Sequence, residues 1–190
     1  MILEGIMTTL DAAGEVSISP MGPIVDEAMR ELVLRPFKTS RTYVNLKAHG
    51  EGVFHVTDDV WLLARAAVSK VDVETVPTRT VRGRVLAGAC RAYEFRVIDV
   101  DDADERTFLQ AEVVATHRMR DFFGFNRAKH AVVEAAILAT RTALLDRTEI
   151  LAEFERLAIL VEKTGGDAEH KAFDFLRNYV EHAPSPDKTE

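Results

Sequence analysis

The feature that most constrains this chain is a change of apolar period near residue 125. Up to Gly124 the apolar residues fall in short runs broken by Gly, Pro and Asp. Val16-Ser17-Ile18-Ser19 alternates strictly, and Val53-Phe54-His55-Val56-Thr57 is a β-rich run closed by Asp58-Asp59. From Asn126 the apolar residues recur every three or four positions. Period two belongs to half-buried strands and period 3.6 to helices. The chain therefore reads as mainly β with α (α+β), its many short strands pointing to a small barrel rather than a doubly wound sheet. Residues 1–125 are assigned to the barrel domain and 126–183 to a three-helix C-terminal subdomain. Residues 184–190, polar and broken by proline, form a frayed tail.

Strands are expected over residues 2–9, 16–19 (running on extended through Pro20 and Pro23), 53–57, 80–86, 92–100 and 108–117. Residues 26–34 fit either a short helix or strand. Helices are expected over 40–48, 60–68 (capped by Asp58 or Asp59) and 127–145. A further helix carries Ile150, Phe154, Leu157 and Val161 and stops at Thr164-Gly165-Gly166. A last one, capped by Asp167, carries Phe173, Leu176 and Val180. The acidic run Asp99-Val100-Asp101-Asp102-Ala103-Asp104-Glu105 reads as a solvated hairpin tip. It lacks the glycine and terminal bidentate Glu of a calcium loop.

Composition narrows the function classes. With 24 Lys and Arg against 31 Asp and Glu, the net charge of −7 argues against broad binding to nucleic acid or anionic membranes. The single cysteine allows no intrachain disulfide and points to a reducing cytoplasm. The start has no basic n-region, and no apolar run reaches the roughly 20 residues that span a bilayer. The six histidines show no metal-ligand spacing, so no metal site is expected. His55 and His117 read as structural strand histidines, and Cys90 as a small core residue. Gly83-Arg84-Val85-Leu86-Ala87-Gly88 has the glycine spacing of a phosphate loop, but Ala89-Cys90 stand where Lys and Ser or Thr belong. No catalytic constellation is evident.

Two clusters stand out. Arg35-Pro36-Phe37-Lys38-Thr39-Ser40-Arg41-Thr42 crowds three cations and three hydroxyls into a helix entrance. A helix start offers unpaired N–H groups and the positive dipole end. This is phosphate-binding chemistry, and a capped surface helix is the plainer reading of the same residues. The second cluster is Arg118-Met119-Arg120-Asp121-Phe122-Phe123-Gly124-Phe125-Asn126-Arg127-Ala128-Lys129-His130. Asn126 can cap the helix, and Arg127, Lys129 and His130 place cations against the helix dipole, which an anion held there would explain. Solvated charges beside an aromatic hinge explain them equally.

The chain resembles the FMN-binding split-barrel proteins of flavin-reductase type and, more closely, the conserved family named domain of unknown function 447. The matching pieces are Leu3-Glu4-Gly5-Ile6, Ser19-Pro20-Met21-Gly22-Pro23, the stretch from Arg35 through Asn45-Leu46, Gly52-Val53-Phe54-His55-Val56-Thr57-Asp58-Asp59, and Phe125-Asn126-Arg127-Ala128-Lys129-His130 with the residues that follow. The resemblance implies a split β-barrel with a C-terminal helical subdomain, forming a homodimer with FMN near the subunit interface. It places the phosphate on Lys38, Thr39, Ser40, Arg41 and Thr42, and the ring against Ser19, Met21, Gly22, Thr57 and Asp58. Asn45 holds the turn or reaches the ribityl chain, and Arg127 and His130 complete the site. It implies an FMN-dependent oxidoreductase with an unidentified small-molecule redox partner, linked to methanopterin-dependent one-carbon metabolism. A non-catalytic flavin or pterin module, or a barrel using F420 or haem, is the alternative.

Overall fold

In a computed structural model, which describes residues 1–184, the chain divides into two compact units. One comprises Met1–Thr57 and Asp72–Phe122; the other comprises Asp58–Val71 and the chain from Phe123 on. The expected tail from residue 185 lies outside the described residues.

The first unit is built on β1 (Gly5–Leu10), β2 (Val16–Met21), β3 (Ile24–Val25), β4 (Glu31–Leu34), α1 (Arg41–His49), β5 (Glu51–Val56), β6 (Thr75–Pro77), β7 (Arg84–Leu86), β8 (Arg91–Asp101) and β9 (Phe108–Arg118). Seven strands form one antiparallel sheet in the order β2-β1-β5-β8-β9-β4-β3, and β6 and β7 pair separately. Successive strand side chains point to opposite faces, so one strand feeds two cores. Phe54 joins Met7, Leu32, Leu34, Leu46, Phe95 and Leu109, whereas its neighbour Val53 joins Val81, Val85 and Ala92. From α1 come Leu46, which is 1% exposed, and the half-buried Tyr43 packed beside it. Gly50 ends that helix at φ 66°, a left-handed conformation that side chains resist.

Residues 26–34 resolve into a turn and a strand. The Asp26 carboxylate accepts from the amides of Ala28, Arg30 and Glu31, locking a side-chain turn that outcompetes a helix. The strand expected over 80–86 is shortened to β7, because the amides of Arg79, Thr80 and Val81 turn inward at 2.7, 2.7 and 3.0 Å onto the fully buried Glu94 carboxylate. His117 Nε2 lies 2.5 Å from the same carboxylate. Burial pushes the Glu94 acid strength down, but these bonds outweigh it and leave its pKa below the usual value.

His55 is locked more tightly. Its Nδ1 donates to the Ile6 carbonyl at 3.0 Å, and its Nε2 accepts from the Leu86 amide at 3.0 Å. The imidazole is thereby fixed in one neutral tautomer joining β1, β5 and β7. Burial, the dominant cause, drives its pKa down to about 4.

The second unit holds α2 (Val60–Val68), α3 (Arg127–Ala139), α4 (Arg147–Thr164) and α5 (Asp167–His182). Asp59 caps α2, its side chain accepting from Leu62 at 2.9 Å. The helix expected over 127–145 ends at Ala139. The Thr140 hydroxyl bonds the Ile137 carbonyl and Leu144 is 79% exposed, so both the backbone ladder and the apolar stripe stop there. The start of α5 also shifts by one residue: Gly166 is the cap and Asp167 the first helical residue, with Glu169 reaching back to the Gly166 amide at 2.9 Å. No helix among the described residues is long and apolar enough to cross a membrane.

Candidate functional site

The candidate site of the first unit gathers at the start of α1. Ser40 caps the helix, its Oγ accepting from the Tyr43 amide at 3.1 Å. The first intrahelical bond runs from Val44 N to Ser40 O at 3.1 Å, so the amides of Arg41 and Thr42 precede the ladder and face the helix entrance. Thr39 and Arg41 are exposed beside them, and Arg41 forms no ion pair among the described residues. These groups offer two N–H donors, a hydroxyl and a guanidinium within one turn, the donor set of an oxyanion site.

The β2 residues are tied directly to this turn. Ser19 Oγ and Thr42 Oγ1 lie 2.8 Å apart, a hydrogen bond across 23 residues that brings two separately recognised stretches into contact. Met21 packs half-buried against the larger core, and Gly22 follows it. A side chain on Gly22 would meet the Glu4 carboxylate at 2.7 Å and Ile2 at 3.0 Å, so the close approach at this glycine is made by the chain's own Glu4. Thr42 and Asn45 are each 4% exposed. Asn45 Nδ2 donates to Thr9 Oγ1 at 2.9 Å, which anchors α1 on β1. Thr57 lies half-buried at the end of β5.

Lys38 and the acidic run are closer partners than sequence reading suggests. Lys38 Nζ donates to the Ala103 carbonyl at 3.3 Å. Asp102 takes 2.6 Å bonds from both Lys47 Nζ and Tyr43 OH. The Lys47 and Tyr43 bonds hold its carboxyl down at about 2. The run is therefore docked beside α1 rather than left as a solvated tip. Nothing local in the sequence signals this, because the partners sit 55 to 65 residues away.

Three residues that the resemblance attached to the site, Asp58, Arg127 and His130, belong to the second unit. Asp58 is 8% exposed; its carboxylate accepts from the Phe123 amide at 2.8 Å and its carbonyl from Lys129 Nζ at 2.9 Å. Asn126 caps α3 as expected, accepting from Lys129 N at 3.0 Å. The anion that the α3 cations called for is, for Lys129, an internal one: Glu169 Oε1 at 2.6 Å. Arg127 and His130 are exposed, and the Phe125 ring packs edge-on to His130 at 6.1 Å. Among the described residues, no group of three or more His, Cys, Asp or Glu is placed to hold a metal ion.

Two family descriptions match the chain: protein of unknown function (DUF447) N-terminal domain over residues 3–120, and protein of unknown function (DUF447) over residues 126–178. The chain belongs to the DUF447 family. Among solved structures, an FMN-bound DUF447 protein from Methanosarcina mazei is 24% identical and aligns over 94% of each chain with a TM-score of 0.81. The 2-nitrobenzoate 2-nitroreductase of Pseudomonas fluorescens is 16% identical and aligns over 60% of this chain and 64% of its own, with a TM-score of 0.52. An FMN-binding protein from Thermus thermophilus, with bound 1-cyclohex-2-enone, is 16% identical over 62% of this chain and 70% of its own, with a TM-score of 0.51. No curated protein matches the sequence. These likenesses establish for the DUF447 chain the split-barrel fold that its strands and motifs led one to expect, with a seven-stranded half-barrel sheet and added helices.

Proposed function

We propose that this DUF447 chain binds FMN in its barrel unit, with the phosphate at the start of α1, and works as an FMN-dependent oxidoreductase. The observation that carries the reading is the Ser19–Thr42 hydrogen bond of 2.8 Å, which places the β2 backbone beside the open first turn of α1. The residues fit the group. A phosphate dianion would take the Arg41 and Thr42 amides, the Thr39 hydroxyl and the Arg41 guanidinium, and the helix dipole favours it there. Ser19, Met21, Gly22 and Thr57 would line the ring. Asn45, through Thr9, keeps α1 in register with β1.

When bound, FMN supplies the hydride or electron chemistry, and the protein binds and orients it. A homodimer and a methanopterin-linked electron partner belong to the same proposal on the strength of the family resemblance, and a cytoplasmic location on the strength of the single cysteine. A second reading, a non-catalytic flavin module, draws on one observation: the barrel's strand histidines, His55 and His117, are both engaged in internal bonds. Bleaching of bound FMN on addition of NADH or NADPH separates the two.

The phosphate assignment has its own test. Arg41→Ala is expected to weaken FMN binding by about tenfold or more, since a hydrogen bond to a charged group is worth roughly 1.5–3 kcal/mol. Lys38→Ala, whose ammonium already serves Ala103, is expected to cost less. Fluorescence titration of each variant checks this; equal losses, or a larger loss at Lys38, would move the phosphate away from Arg41.

A further inference from the structure

We infer that Arg91 and Arg118, paired across β8 and β9, form a second anion site that holds the diphosphate of a small redox partner. The anion site stands on its own geometry; the redox role of its ligand rests on the flavin reading above.

The sheet register lines up the residues that matter. Met21 pairs with Gly5, the next β1 residue Ile6 with His55, Val56 with Arg91, and Arg91 with Arg118. Met21, Gly5, Val56, Arg91 and Arg118 therefore form one row across β2, β1, β5, β8 and β9. Side chains level on neighbouring strands share a face, and Met21 and Val56 both pack against the larger core. The two arginines continue that face at its rim, where both are exposed. At roughly 4.8 Å per strand, Arg91 stands about 14 Å along the sheet from Met21, a residue of the proposed ring site. A ligand that reaches the ring on this face can lay its far end on the arginines.

Like charges directly opposite one another, with Cβ atoms about 5 Å apart, destabilise a sheet. An anion between them turns that cost into binding. The chain already supplies one such anion. Asp121 Oδ1 accepts from Arg118 Nη2 at 2.5 Å, while Arg91 forms no ion pair among the described residues. The Asp121 carboxyl is held below its ordinary value by its bond to Arg118 and, more weakly, by the charge of Arg91, so both cations act on one carboxylate. The Asp121 side chain is 80% exposed, and an exposed pair holds loosely, so an incoming oxyanion can displace it. Two guanidinium forks side by side match the paired oxyanions of a diphosphate better than one carboxylate does. The strand ends that carry them are pinned. Met119 N and Arg120 N donate to the Cys90 carbonyl at 3.0 and 3.3 Å, and Arg120 Nε to the Gly88 carbonyl at 3.0 Å. Gly88 is exposed, and a Cβ built there would meet nothing within 4 Å, so the turn before β8 leaves room beside the pair.

The test is calorimetric titration of the FMN-loaded full chain with inorganic pyrophosphate, the flavin phosphate then occupying the α1 entrance. Wild type is expected to bind pyrophosphate more tightly than orthophosphate. The double variant Arg91→Gln, Arg118→Gln is expected to lose about tenfold or more in affinity, the scale of a lost hydrogen bond to a charged group. Asp121→Asn removes the competing carboxylate and is expected to bind about threefold more tightly, within the range of an exposed ion pair. Without ligand, Arg91→Gln should melt no lower than wild type, because it relieves the like-charge pair. Failure of wild type to bind pyrophosphate, binding that the double variant leaves unchanged, or a clear drop in melting temperature for Arg91→Gln overturns the site. Orthophosphate bound as tightly as pyrophosphate overturns the diphosphate ligand and leaves a site for any free oxyanion. If the chain takes up no FMN, the same titration of the flavin-free chain still reads the two arginines, and only the redox role falls with the flavin reading.

Discussion

Replacing His55 with alanine is expected to lower stability by about 3–5 kcal/mol, a loss as large as that from truncating a buried aromatic core residue. The substitution opens a cavity at a fully buried position and strands the Ile6 carbonyl and the Leu86 amide that the ring bridges. The same lock makes the wild type sensitive to acid. The folded-state pKa of about 4 lies below the ordinary 6.5, so the unfolded chain binds the proton more readily between those values. The stability from a neutral His55 is complete above pH 6.5 and is lost as pH falls toward 4, a total of roughly 3 kcal/mol. Glu94 and Glu169, whose pKa values are also lowered, add their losses below the ordinary carboxylate range. Urea unfolding at pH 7 and pH 5 checks both points. A His55→Ala variant within about 1 kcal/mol of wild type, or one with the same pH slope between 6.5 and 4.5, would contradict the lock.

The second large effect is expected at Lys129. Its ammonium pairs with Glu169 at 2.6 Å and also donates to the Asp58 carbonyl, while Glu169 accepts from Gly166. Removing the cation leaves a carboxylate whose side chain is 9% exposed without its counter-charge. Lys129→Ala should cost about 2–4 kcal/mol, somewhat below the figure for a fully buried pair, because Lys129 keeps 20% of its side-chain surface in water. Arg127→Ala and His130→Ala, in the same helical turn but exposed, should stay within about 0.5 kcal/mol. Thermal melts of the three variants test the contrast. The double change Lys129→Met, Glu169→Leu should recover much of the loss. If all three single variants melt alike, Lys129 is not the anchor described here.

The contrast between Lys129 and its neighbours shows what a sequence can and cannot convey. Three cations at a helix start signal an anion, and the sequence carries that signal correctly for Lys129. It cannot say that the anion is Glu169, 40 positions on. Local features are legible because their physics is local: a helix beginning near Ser40, the cap at Asn126, and the change of period that separates strands from helices. Residues 80 and 81 have a composition that suits a strand, yet a buried Glu94 captures their amides, with that of Arg79, from another strand. Thr140 ended α3 where the run of alanine and leucine suggested that it should continue. The docking of Asp102 beside Lys47 and Tyr43 likewise depends on the sheet register that brings the hairpin tip to α1.

The most direct test of the central claim is the affinity of the purified protein for FMN and for riboflavin, measured side by side by flavin fluorescence. The two ligands share the ring and ribityl chain and differ in the phosphate that the start of α1 is proposed to hold. The account predicts that FMN binds at least about tenfold more tightly, because charge-assisted hydrogen bonds to a phosphate are each worth roughly 1.5–3 kcal/mol. Equal affinities, or no binding of either, would contradict it.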